Sequence, residues 1–192
     1  MSLPAKKAAT YDDLVALPPH VVGEIINGEL EVSPRPASPH AFAASVLGMD
    51  LGGAFQRGRG GPGGWWLFDE PELHLGRHVL VPDLAGWRRE RMASPADAPF
   101  FTLTPDWICE VVSPSTAARD RGRKLPIYAE HEVAFAWLVD PLARTVEAYR
   151  RQGPHWLLLG TYADDVPARI APFDAIELDV AALWMQAQRE SP

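Results

Sequence analysis

The chain has 192 residues, 47% of them hydrophobic and 22% charged, ordinary values for one globular domain with room for a core. A formal net charge of −7 argues against a large nonspecific nucleic-acid-binding surface, because phosphate contacts need basic groups. No apolar run reaches transmembrane length, Met1 to Thr10 lacks the apolar middle of a signal peptide, and the single cysteine, Cys109, suits a reducing cytoplasm.

Residues 1–9 read as a flexible tail and residues 10–192 as one domain. A short helix is expected over 10–17, with Thr10 and Asp13 at capping-box-like spacing and Pro18-Pro19 as its stop. Asn27-Gly28 is the preferred two-residue type I′ turn. It predicts a hairpin that pairs Ile26 with Glu29, Ile25 with Leu30 and Glu24 with Glu31, with Ile25, Leu30 and Val32 on one face. Ser38-Pro39 starts a helix running to about Arg57, with Phe42, Val46, Leu47, Leu51 and Phe55 as its apolar stripe. The glycine-rich stretch Gly58 to Gly64 is not a phosphate-cradling P-loop, since no Lys-Ser/Thr follows and a strand comes next.

Strands are predicted at 65–69, 71–76 and 79–87, then a polar loop over 88–105. The segment 106–112 is apolar on both faces and reads as a central strand. A helix follows over about 116–131, kinked or started by Pro126. Strands at 134–139, 144–150 and 155–162 and a final helix from Asp179 through Gln188 complete the chain. The order predicts an α/β or α+β domain around one mixed sheet. Of the seven tryptophans, Trp65, Trp66 and Trp87 are those that could edge a groove or a dimer contact.

Charge chemistry narrows the reading. The chain holds three lysines against fifteen arginines, and Lys6 and Lys7 fall in the tail. Lys124 is the one lysine of the folded body, in the run Arg119 to Lys124. Lysine is a compact point charge suited to catalysis, whereas arginine is an always-charged fork. Glu110 lies inside the apolar strand with Ile108 and Val112 on its face, so it needs a partner, a proton or a cation. Asp83 follows Pro82 at the end of an upstream strand. Two carboxylates on neighbouring strand ends make a hard-cation site, and an ammonium beside them can act on a water or on charge at phosphorus. The plain alternatives are a salt bridge to a nearby arginine for Glu110, a turn cap for Asp83, and a surface pair with Asp120 for Lys124. His74 and His78 straddle a glycine turn and read as structural.

Several stretches together resemble the Uma-type restriction-endonuclease family. They are Val81-Pro82-Asp83-Leu84-Ala85, Pro105 to Thr116 with its Glu-Val-Val-Ser-Pro-Ser-Thr core, then Asp120, Lys124 and Tyr128, and Trp137-Leu138-Val139-Asp140. The opening is similar too, in Tyr11-Asp12-Asp13-Leu14, the hairpin Glu24 to Leu30, and Ser38-Pro39-His40. The resemblance covers nearly the whole chain. It implies the PD-(D/E)XK nuclease superfamily and a restriction-endonuclease-like core preceded by an N-terminal helix and β-hairpin.

By that resemblance Asp83 and Glu110 are metal ligands, and Lys124 stands for the superfamily lysine, whose usual position is occupied by Val112. Glu24, Glu29 and His40 match the family's remaining site residues, with the choice between the two hairpin glutamates open. Pro126, and Phe135 in Phe135-Ala136-Trp137, depart from the pattern. The implied function is phosphodiester hydrolysis dependent on magnesium or manganese, with DNA as the expected substrate. No membrane partner is expected, and a homodimer is the expected assembly. The alternatives are a catalytically silent binding or assembly protein on the same fold, and hydrolysis of a nucleotide or small phosphodiester.

Overall fold

Asn27 and Gly28 both take left-handed backbone angles, φ 55° and 78°, as a type I′ turn requires. The turn joins β1 (Val21–Ile26) to β2 (Glu29–Pro34) in the expected register, with Glu24 opposite Glu31. The chain is described here by a computed structural model, over residues 8–163 and 166–185. Residues 1–7 of the expected tail lie outside the described residues. Before the hairpin, α1 (Tyr11–Val15) carries the full Thr10–Asp13 capping box. One facial expectation fails: Val32 is exposed while Glu24 is buried. The reason is strand order, since β2 is the edge of its sheet and β1 is covered by a second neighbour.

That sheet has the order β2-β1-β5-β4, where β4 is Leu73–Leu75 and β5 is His78–Leu80. The second sheet has six strands in the order β10-β9-β8-β7-β6-β3. They are β3 (Trp65–Asp69), β6 (Leu84–Arg88), β7 (Trp107–Val111), β8 (Phe135–Asp140), β9 (Thr145–Gln152) and β10 (His155–Ala163). Two sheets therefore replace the single one expected, and the strand predicted over 79–87 is the crossing point, split into β5 and β6. Two features end the ladder there. Pro82 has no N–H to give, and the Val81 N–H is taken by the Glu24 side chain at 2.9 Å.

Helix α2 (Ser38–Leu51) begins from Ala37 as its N-cap, one residue earlier than the sequence predicts, and widens into a π-turn over Gly52–Gln56. It buries Ala43, Ala44, Leu47, Leu51 and Phe55, whereas Phe42 of the expected stripe is exposed. The parallel pair β7–β8 is linked by a helix of three parts: α3 (Ala117–Arg119), a π-turn over Asp120–Lys124, and α4 (Leu125–Glu130). Pro126 thus acts by widening the turn before it. It cannot donate to the carbonyl four residues back, and the Leu125 N–H reaches Asp120 O instead. The final helix is a short 3₁₀ segment over Val180–Leu183, capped by Asp179, within the described residues; 186–188 lie outside them.

Two buried clusters line the two faces of the large sheet. One joins Trp107, Cys109 and Val111 to α2 and to Val180, Leu183 and Trp184. The other joins Ile108 and Val112 to Leu125, Ile127 and Tyr128 of α4. Trp65 and Trp87 are core residues and offer no dimer contact. Among the described residues no helix is long and apolar enough to cross a membrane.

Candidate active site

Alternation along β7 sends Glu110 to the face that holds Ile108 and Val112, where α4 packs. An unpartnered carboxylate there would be costly, and the fold supplies partners from two directions. The π-turn carries Lys124 over the strand end, with Nζ 2.8 Å from Glu110 Oε1 and 2.8 Å from Glu24 Oε1. Nζ also donates to the Val81 carbonyl at 3.3 Å. One turn further on, the Tyr128 hydroxyl donates to Glu110 Oε1 at 2.7 Å. Lys124 is only 1% exposed, which removes the surface-charge alternative, and both its ion pairs are to Glu24 and Glu110.

Asp83 occupies the break between β5 and β6. Its Oδ2 accepts from the Val111 N–H at 2.6 Å, and its Oδ1 lies 2.6 Å from His40 Nε2, at the start of α2. Arg119 reaches Glu24 Oε2 at 3.7 Å and Asp120 Oδ1 at 3.4 Å, and donates to Ser33 Oγ at 2.7 Å. A cleft of ≈ 630 Å³ opens over this cluster, with Glu24, His40, Asp83, Glu110 and Lys124 among its lining residues. Glu29 is not among them. It pairs with Arg123 at 2.9 Å, and the same guanidinium holds Glu31, which does line the cleft. Of the two hairpin glutamates, the one inside the cluster is Glu24.

The electrostatics follow from burial. Desolvation pushes the Glu110 carboxyl well above the usual range, opposed by Lys124 and reinforced by Asp120, Asp83 and Glu24. Burial also raises Asp120, and it raises the Tyr128 phenol together with the adjacent Glu110. Burial works against the charge on Lys124, but Glu110, Glu24 and Asp120 outweigh it and raise its pKa, so the group stays an ammonium. A proton-transfer role for Lys124 is therefore disfavoured in this arrangement, and a donor and counter-charge role is favoured.

The family model of Uma2, described as "Putative restriction endonuclease", matches residues 9–181. The chain belongs to the Uma2 family. No curated protein matches it. Among solved structures, a protein described as a "putative nuclease belonging to DUF820", from Anabaena variabilis ATCC 29413, is similar in fold. The TM-score is 0.74 at 23% identity, over 92% of this chain and 97% of that one. At that identity the likeness speaks for the fold alone, a mixed α+β architecture.

In this Uma2 chain, sequence reasoning underweighted Arg119 and gave Asp120 and Tyr128 no role of their own. The signal was present, since Asp120, Lys124 and Tyr128 recur at i, i+4 and i+8 on a predicted helix. Among the described residues no three His, Cys, Asp or Glu side chains form a ready-made metal cage. The donor chemistry nevertheless fits a magnesium-type ion, which takes one or two carboxylates and keeps several waters. Among the described residues, the lysine and arginine paired with the cluster of Glu24, Asp83, Glu110 and Asp120 are Lys124 and Arg119. If all are ionised, two negative charges remain, matching one divalent cation. A cation is the alternative to a proton on Glu110.

Proposed function

We propose that this chain is a divalent-metal-dependent endonuclease that hydrolyses phosphodiester bonds in DNA. The observation that carries the reading is the buried Lys124 ammonium held between Glu110 and Glu24 on a cleft that Asp83 and His40 also line. Membership of a family described as restriction endonucleases supports it. Asp83 and Glu110 would hold magnesium or manganese, which when bound supplies Lewis acidity toward a phosphoryl oxygen. The remaining work belongs to the chain. Lys124 places positive charge where phosphorus oxygens gain negative charge, inside a site with little water to screen it. Tyr128 fixes one oxygen of Glu110 by donating to it. The Val111 N–H and His40 hold the two oxygens of Asp83, so that this carboxylate is set before substrate arrives. Glu24 anchors Lys124 and ties the small sheet to the site through Val81.

Plasmid nicking tests the reading. Supercoiled DNA should convert to open circle with magnesium or manganese and stay intact with chelator. Glu110→Gln should lose roughly 10²-fold or more in rate, the cost of removing one preorganised electrostatic group. Absence of nicking by wild-type protein across both metals, on duplex and single-stranded DNA, would favour a silent member that uses the fold for binding.

A further inference from the structure

A second groove, of ≈ 600 Å³, opens along α2 beyond the cleft. The two border the same chain segments. Leu84 and Asp69 line the groove while their chain neighbours Asp83 and Glu70 line the cleft. Helix α2 gives His40 to the cleft and Gly48 to the groove. Charge separates them. Six carboxylates and four cations line the cleft, and those cations are all engaged: Arg35 with Glu70, Arg119 and Lys124 with Glu24, and Arg123 with Glu31. The cleft therefore has no free guanidinium with which to hold a polyanion. The groove holds Arg57 and Arg59 against one carboxylate, Asp69, and neither arginine makes an ion pair among the described residues.

The two arginines are placed by structure rather than left loose. The Arg57 N–H donates to Gly52 O at 3.1 Å, and the Arg59 N–H to Gly53 O at 2.9 Å. The glycine-rich loop folds back on the π-turn, with the Gly63 N–H on Ala54 O, and a Cβ at Gly61 would lie 2.6 Å from Ala54 Cβ. Arg89 ties the loop's two ends, donating to Gln56 O and Trp65 O. Between the arginines and the cleft, the groove wall at Gly52 and Gly53 has no atom within 4 Å of where a Cβ would stand. From His40 to Gly52 the helix advances about 18 Å at ~1.5 Å per residue. That is about five steps of a B-form strand at ~3.4 Å each.

We infer that Arg57 and Arg59 bind backbone phosphates of DNA leaving the cleavage cleft along α2, at a distance of about five nucleotides or more. This rests on the nuclease reading for the choice of DNA, and it explains how an acidic chain grips a polyanion. The groove supplies what the cleft cannot, unpaired guanidinium groups next to a wall left open at Gly52 and Gly53.

The test is DNA binding without cleavage, measured by fluorescence anisotropy on a dye-labelled duplex in chelator over a salt series. Arg57→Gln/Arg59→Gln should weaken binding at least tenfold at low salt. It should also lower the slope of log affinity against log salt by about 1.8, or ~0.9 per lost phosphate contact. Arg57→Lys/Arg59→Lys should keep most of the slope. The control Arg144→Asn/Arg150→Gln removes the same charge elsewhere, Arg150 being three strands from β6, and should bind within twofold of wild type. Wild-type binding that is unaffected by the groove variant, an equal loss in the control, or no wild-type binding at all would overturn the inference. Nicking is read separately. A protein that nicks with Arg57 and Arg59 dispensable for binding keeps the nuclease reading and loses this one. A protein that binds through them and never nicks does the reverse.

Discussion

Lys124→Met should lower the melting temperature by about 6–20 °C. The side chain is 1% exposed and pairs with two buried carboxylates at 2.8 Å each. Removing one member of such a cluster costs about 3–5 kcal/mol, and each kcal/mol moves the midpoint by about 2–4 °C in a domain of this size. Most of that loss comes from stranding Glu24 and Glu110, so adding Glu24→Gln to Lys124→Met should recover part of it, a non-additivity that thermal melts resolve. Nicking should fall by roughly 10²–10³ in the methionine variant, the scale of losing one preorganised donor. Lys124→Arg separates the two effects. It keeps the charge but must fit a planar fork into a slot closed by two carboxylates and the Val81 carbonyl. It should retain more stability than Lys124→Met and still lose most activity. A methionine variant that melts like wild type would show that the cluster does not hold the fold, and full nicking by it would take Lys124 out of the mechanism.

Saturating magnesium or manganese should raise the melting temperature of the wild type by about 5–11 °C, taking ~2.7 kcal/mol at a hundredfold excess over the dissociation constant. Asp83→Asn should abolish nearly all of that gain, and nicking with it. The amide preserves size and can still accept from the Val111 N–H, so the apo fold should change little while one negative charge leaves the site. Glu110→Gln should likewise lose the metal-induced gain, from a lower starting midpoint because Lys124 loses one of its two charged partners. An equal metal-induced shift in wild type and Asp83→Asn would place the ion elsewhere on the protein.

What the sequence made legible was whatever local chemistry determines. Asn27-Gly28 fixed the hairpin register because only the mirror-image turn matches strand twist. The both-face apolar run of β7 fixed a central strand, and Thr10 with Asp13 fixed a helix start. Less legible was anything set by partners distant in the chain. Residues 79–87 read as one strand because Val79, Val81 and Ala85 keep the period, and the deciding contact, Glu24 on Val81, comes from 57 positions away. The buried pairing of Lys124 with Glu24 was hidden for the same reason. Pro126 announced a disturbance of the helix but not its form, a π-turn that points Lys124 inward.

The seam at Val81-Pro82-Asp83 has a kinetic consequence. Glu24 belongs to the small sheet, Glu110 to the large one, and Lys124 to the helix between β7 and β8. Among the described residues the ladder between β1 and β5 pairs only Ile25 with Val79, so the β1–β2 hairpin is lightly stitched to β5. Should it peel away as a unit, Glu24 leaves with it and three charges meet water at once. Inactivation on warming would then precede global melting, and amides of β1 and β5 would exchange with solvent ahead of those in β7 and β8. In that case the working lifetime of the protein at a given temperature is governed by the opening rate of this one flap, not by the stability of the domain that carries it.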